Sequence, residues 1–182
     1  MASNFHKGLM MSEVVPTKLV TGVFQASGAD AAVEDGALVV IGGLRSHDTY
    51  ASTTDLNTHN ITAPTALTNR VAVVDYVGVP SGTIGGNLYR DGYKTFGLTV
   101  PAGTATRTRI LELDDTGFWA TGNFVAAPTV GQYAVLTANS VKLTAAASKP
   151  ATGFCVRVDA SKPVTEGTVN TETEYFCTVV QL

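Results

Sequence analysis

The stretch "LELDDTGFWATGNF", residues 111–124, sets three carboxylates, Glu112, Asp114 and Asp115, within a few positions of Phe118 and the chain's single tryptophan, Trp119. Paired carboxylates beside aromatic rings are the equipment of glycoside hydrolysis, which needs them about 5–10 Å apart across a cleft. Neighbours on one strand do not provide that spacing, and nothing else in the chain nominates a second carboxylate. A hydrolase or lyase using Asp114 or Asp115 is therefore the weakest of three functional readings, and no residue is assigned to catalysis. In "RTRILELDD" strict alternation puts Arg107, Arg109, Leu111 and Leu113 on one face and Thr108, Ile110, Glu112 and Asp114 on the other. Neither face is cleanly apolar, which predicts a strand with one flank at an edge or interface. "DDTG" then reads as a corner, where Asp side chains bond the backbone and glycine accepts an awkward dihedral. Phe118 and Trp119 read as core and near-surface anchors.

Other reactive residue types are present without a pattern that uses them. His47, Asp48, Asp55 and His59 are metal-ligand types in a loop running over residues 45–69, but their spacing matches no zinc or divalent-metal signature. No metal site is assigned; the loop is expected to be solvated, with contact to a partner as the other use. "GTIGGNLYRDG" lacks the GxGxxG spacing and has no following helix to aim amides at a phosphate, so no cofactor is assigned. It reads as two turns, with "RDG" joining a run ending at Tyr89 to one starting at Tyr93. No G-x-S-x-G elbow occurs. Cys155 and Cys177 sit in apolar strand-like runs without a nearby histidine. One disulfide would form if those strands pair; in a reducing compartment two buried thiols are expected.

The composition limits what these residues can serve. Charged residues make up 15% of the chain, against roughly a quarter in an ordinary soluble domain. Lasting interfaces are depleted in Lys, Glu and Asp at their centres because desolvating them costs free energy, so the shortage points to permanent assembly. The net charge is -3 and the twelve basic residues are scattered, which argues against nucleic acid as a partner. Apolar runs such as "ALVVIGGL" fall well short of the roughly eighteen residues of a membrane span, and the start lacks a continuous signal-peptide core. No membrane partner is expected, and the chain is expected to stay in the cytoplasm where it is made.

The elements that position these residues read as strands. Threonine occurs 26 times, a β-branched choice suited to half-buried pleated surfaces. Ten runs show period-2 or wholly apolar patterning: they begin at Thr17, Ala37, Arg70, Tyr93, Thr106, Gly117, Gln132, Ser140, Gly153 and Glu174. Turn-rich segments separate them, among them "DASKPVTEGTVNTET", and no stretch sustains a helical period. The predicted fold is all-β, an antiparallel barrel or sandwich of about ten short strands with long loops. Residues 1–16 read as an extended arm and 17–182 as one β domain, with 101–105 the place where it could divide.

The stretch "GQYAVLTANSVKLTAAASKPATGFCVRVD", with the final "YFCTVVQL", resembles small β-barrel capsid decoration, or cement, proteins of tailed bacteriophages. On that resemblance Gly131, Tyr133 and Val135 start the barrel, Asn139 and Ser140 form a turn, and Gly153, Val156 and Val158 resume it. The likeness covers roughly the last third of the chain. It implies a structural virion protein that binds the outside of a capsid and stabilises it without chemistry, with the major capsid protein and itself, as dimer or trimer, for partners. The long loops of the first half depart from a minimal cement barrel and leave a fibre, tail or minor capsid role open. The alternative is a carbohydrate-binding module stacking sugars on exposed Tyr50, Tyr89, Tyr93 and Trp119.

Overall fold

The computed structural model describes residues 19–45, 58–75, 81–84, 87–90, 99–166 and 170–182. The predicted arm, His47, Asp48, Asp55 and the turn after Arg90 lie outside them. The strands are β1 (Leu19–Ala26), β2 (Ala29–Asp30), β3 (Val33–Glu34), β4 (Leu38–Leu44), β5 (Thr58–Thr62), β6 (Ala72–Val74), β7 (Ser81–Ile84) and β8 (Asn87–Arg90). They continue with β9 (Thr99–Val100), β10 (Thr106–Ile110), β11 (Thr116–Ala120), β12 (Tyr133–Leu136), β13 (Leu143–Ala146), β14 (Cys155–Glu166) and β15 (Asn170–Gln181). The only helical element among the described residues is a 3-10 turn at Thr121–Asn123. The fold is all-β.

Strands of the first half close on themselves. β1 pairs with β10, β10 with β6, β6 with β4 and β4 with β5, all antiparallel, and β5 returns to β1 in parallel register, Thr21 opposite Thr58 and Phe24 opposite Ile61. A five-stranded barrel has an interior narrower than the eight-stranded kind that side chains just fill, so only a few side chains can share it. Phe24, Val39, Ile61, Ala72 and Val74 form that inner core, with Val33, Ala37 and Val100 packed against them. Thr108 is fully buried there and satisfies its hydroxyl by donating to the Val20 carbonyl oxygen at 2.7 Å. Gly22 is required at its position: a Cβ would lie 2.4 Å from Ile61 Cγ2.

The second half forms an open antiparallel sheet in the order β11-β15-β14-β12-β13. Its inner face, with Trp119, Ala134, Leu136, Val156, Val158, Cys177 and Val179, packs onto Leu38, Val71, Val73 and Leu111, which point outward from the barrel. Backbone clasps hold the two layers together: Leu38 N–H donates to the Val141 carbonyl at 3.1 Å and Phe154 N–H to that of Leu67 at 3.0 Å. Gly153 makes the second clasp feasible, since its φ of +91° favours glycine and a Cβ would sit 2.5 Å from the Leu67 oxygen.

Four expectations change. The 45–69 segment is not strandless: Thr58–Thr62 is β5, which closes the barrel, and its short polar run "THNIT" gave no periodic signal. β10 is not an edge strand, since β6 and β1 flank it on both sides. The last third is not the barrel; Gly131, Tyr133, Val135, Val156 and Val158 belong to or border the open sheet, although Asn139 does turn the chain, at φ +58°. "DASKPVTEGTVNTET" is no loop in its described part: residues 159–166 lie on β14 and 170–173 on β15, with Pro163 opposite Thr173. Proline is tolerated there because β14 has no further strand on its other side at that point among the described residues.

Gly22→Ala is expected to destabilise the protein by about 1–3 kcal/mol by overpacking the barrel. Denaturant unfolding should show the loss shrink when Ile61→Ala makes room, which identifies the inner contact as its cause.

Candidate functional site

The 111–124 stretch carries the chain from barrel to sheet. Leu111 N–H still bonds the Val71 carbonyl of the barrel at 3.0 Å, whereas Asp114 N–H bonds the Val179 carbonyl of the sheet at 2.9 Å. Asp114 takes φ +67°, and the buried Asp115 holds the corner by accepting the Glu112 N–H on Oδ2 at 2.9 Å. Asp114 is exposed and Asp115 buried, so the two carboxylates do not face a common cleft. Trp119 is fully buried in the shared core with 0% exposure. That corrects its place among the exposed aromatics: a ring with no accessible face cannot stack on a sugar. Tyr50 and Tyr93 lie outside the described residues, and Tyr89 sits on β8.

The arginines of β10 meet a carboxylate the sequence did not single out. Asp75, 2% exposed in its side chain, receives Arg107 Nη2 at 2.8 Å and lies 3.7 Å from Arg109 Nη2. Burial first, and then the positive charge of Arg107, hold the Arg109 guanidinium below its ordinary pKa. This group secures the outer wall of the barrel beneath the corner. The alternation of Arg107 and Arg109 was visible in the sequence; their partner, 32 positions from Arg107, was not.

Of the four suggested metal ligands only His59 is described, and its Nδ1 lies 2.9 Å from the Gly42 carbonyl oxygen. No group of three His, Cys, Asp or Glu side chains that could hold a metal occurs among the described residues. Cys155 and Cys177 are both free thiols and fully buried; burial pushes both pKa values up, which keeps them protonated and unreactive.

The most distinctive surface lies on the outer side of the sheet. β12 pairs with β14 only through Cys155, Val156 and Arg157, and a bulge follows between Val158 and Ala160. Beyond it β14 pairs with β15 alone to Glu166, its other flank open among the described residues; β11 still borders β15 as far as Glu174, and past that point the two strands run on as a two-stranded ribbon. At its base Phe118 and Phe176 pack with ring centroids 5.1 Å apart, and Ala160, Ser161 and Lys162 complete an almost wholly apolar pocket of about 290 Å³. Lys162 Nζ sits 4.4 Å above the Phe118 ring and 3.1 Å from the buried Glu174 Oε2, so its charge is held at the rim. Alternation of Thr171 and Thr173 with Glu172 and Glu174 was the sequence signal for this ribbon, obscured by Pro163 and Gly167. Such an arrangement offers backbone pairing along the flank and aromatic area beside it, which is contact chemistry.

No family profile matches the chain, and no curated protein and no solved structure matches it significantly. No helix among the described residues is long and apolar enough to cross a membrane.

Asp75→Asn is expected to destabilise the fold by about 3 kcal/mol or more, because it leaves two guanidinium groups against one buried site without their anion. Asp114→Asn, which tolerates the same left-handed backbone, is expected within about 0.5 kcal/mol of the parent. Chemical denaturation of the two variants side by side checks both.

Proposed function

We propose that this chain is a structural virion protein of the capsid-decoration kind. It binds the outside of a bacteriophage head shell and stabilises it without catalysis, with the major capsid protein and further copies of itself as partners. Made in the host cytoplasm, it ends on the capsid surface. The observation that carries this reading is the β14–β15 ribbon with its open flank and the Phe118–Phe176 pocket at its base. An open strand flank invites a partner's strand, and aromatic area beside it supplies the buried centre that such contacts rely on.

Charge distribution supports the same reading. Only 15% of residues are charged, and several of those are already consumed in internal pairs, Asp75 with Arg107 and Glu174 with Lys162. Large apolar side chains remain exposed at Leu44, Leu67, Leu113, Val125 and Val130. A surface so sparingly ionised gains by being covered.

Co-sedimentation with purified head shells tests the proposal. The protein is expected to bind, to raise the shell's thermal transition, and to run as an oligomer by light scattering. Phe118→Glu should weaken shell binding by about tenfold or more with the β spectrum unchanged. A stable monomer at high concentration with no affinity for any shell rules the reading out.

A further inference from the structure

The barrel has a second apolar opening, distinct from the ribbon. A pocket of about 270 Å³ lies at its rim, lined by Val20, Val40, Ile41, Arg70, Val71 and Ile110. The strand registers place this at one end of the barrel: β1 begins there, β10 ends there, and Val71 leads into β6. Val20, Ile41 and Ile110 are all only partly buried, so the mouth of the barrel is lined with aliphatic surface that no side chain of the described residues covers. Arg70 is the one charged lining residue. Its side chain is 71% exposed, and its pairing with Glu112 at 3.8 Å is loose, so most of its donors face solvent.

We infer that this mouth is a socket for the segment Glu13–Val14–Val15–Pro16 of a neighbouring copy. Eighteen residues precede Leu19, and the chain enters β1 at the rim of this pocket. The segment complements the lining: two valines and a proline for the aliphatic wall, and the Glu13 carboxylate for Arg70. The sequence favours a neighbour over the chain's own barrel. Pro16 fixes its own φ and biases Val15 to extended backbone, which leaves Thr17 and Lys18, neither a favoured turn residue, to reverse the chain into its own mouth. Because β1 begins beside the socket, a two-fold axis next to the mouth lets two copies exchange the segments that precede it reciprocally. The inference rests on the assembly reading above and adds the contact that joins the copies.

Full-length chain carrying Val15→Cys and Val40→Cys, treated with a short bismaleimide, tests it. The native Cys155 and Cys177 are each 0% exposed and do not compete. The expected product is a covalent dimer linking position 15 of one chain to position 40 of another, identified by mass spectrometry. Arg70→Glu should weaken self-association by roughly 3- to 10-fold with an unchanged β spectrum, and adding Glu13→Arg should restore it. An oligomer that forms without the link and ignores Arg70→Glu overturns the socket and leaves the assembly reading standing. A link closed within one chain overturns the exchange. A chain monomeric at every concentration and blind to shells overturns both.

Discussion

Leu38, Val71, Val73 and Leu111 point out of a closed barrel, where water would ordinarily meet them, and the open sheet lays Trp119, Val156 and Val179 over them. A barrel of five strands is too narrow inside to bury much apolar surface, so its stability has to be completed from outside. That requirement explains the other features of the junction. The chain must pass from one layer to the other without losing backbone hydrogen bonds, and the Leu111–Asp115 corner does so by trading a Val71 partner for a Val179 partner. Trp119, the largest side chain available, sits where the two layers meet. Gly153 and the Phe154–Leu67 bond pin the far side of the same face.

Closure also decides where the molecule is open to others. In the first half β5 pairs with both β1 and β4, and the ring leaves no lateral edge for another chain to extend. The second half keeps its edges, and β14 and β15 continue past their neighbours into the ribbon. Contact is therefore directed to two kinds of surface: a strand flank with an aromatic pocket, and the aliphatic mouth that closing the barrel creates. Both are poor in charge: Lys162 at the ribbon pocket is held against Glu174, and the barrel mouth has a single charged lining residue, Arg70.

Internal pairing accounts for the unusual strand β10. An alternating Arg-Thr-Arg pattern suggests a surface flank when only local neighbours are considered. In the fold Thr108 points into the barrel and bonds the Val20 carbonyl, while Arg107 and Arg109 share Asp75 on the outside. A polar strand can be central when a carbonyl takes its buried hydroxyl and a carboxylate offsets its charges, and the cost that remains falls on Arg109, whose buried Nε and Nη1 make no hydrogen bond.

The all-β class and most strand positions, such as those of β1, β4, β12 and the Cys-bearing parts of β14 and β15, were legible in the sequence. Alternation of side chains across a strand is a local property of the backbone and leaves its mark within a few residues. The 111–124 stretch was likewise legible as strand and corner from its Asp-Asp-Thr-Gly chemistry. The parallel closure of β5 on β1, the Asp75 partner of the two arginines, the full burial of Trp119 and the Phe118–Phe176 pocket were decided only by tertiary structure. Each joins segments tens of positions apart, and no local period records which distant strand a given edge will meet or which layer will cover a given face.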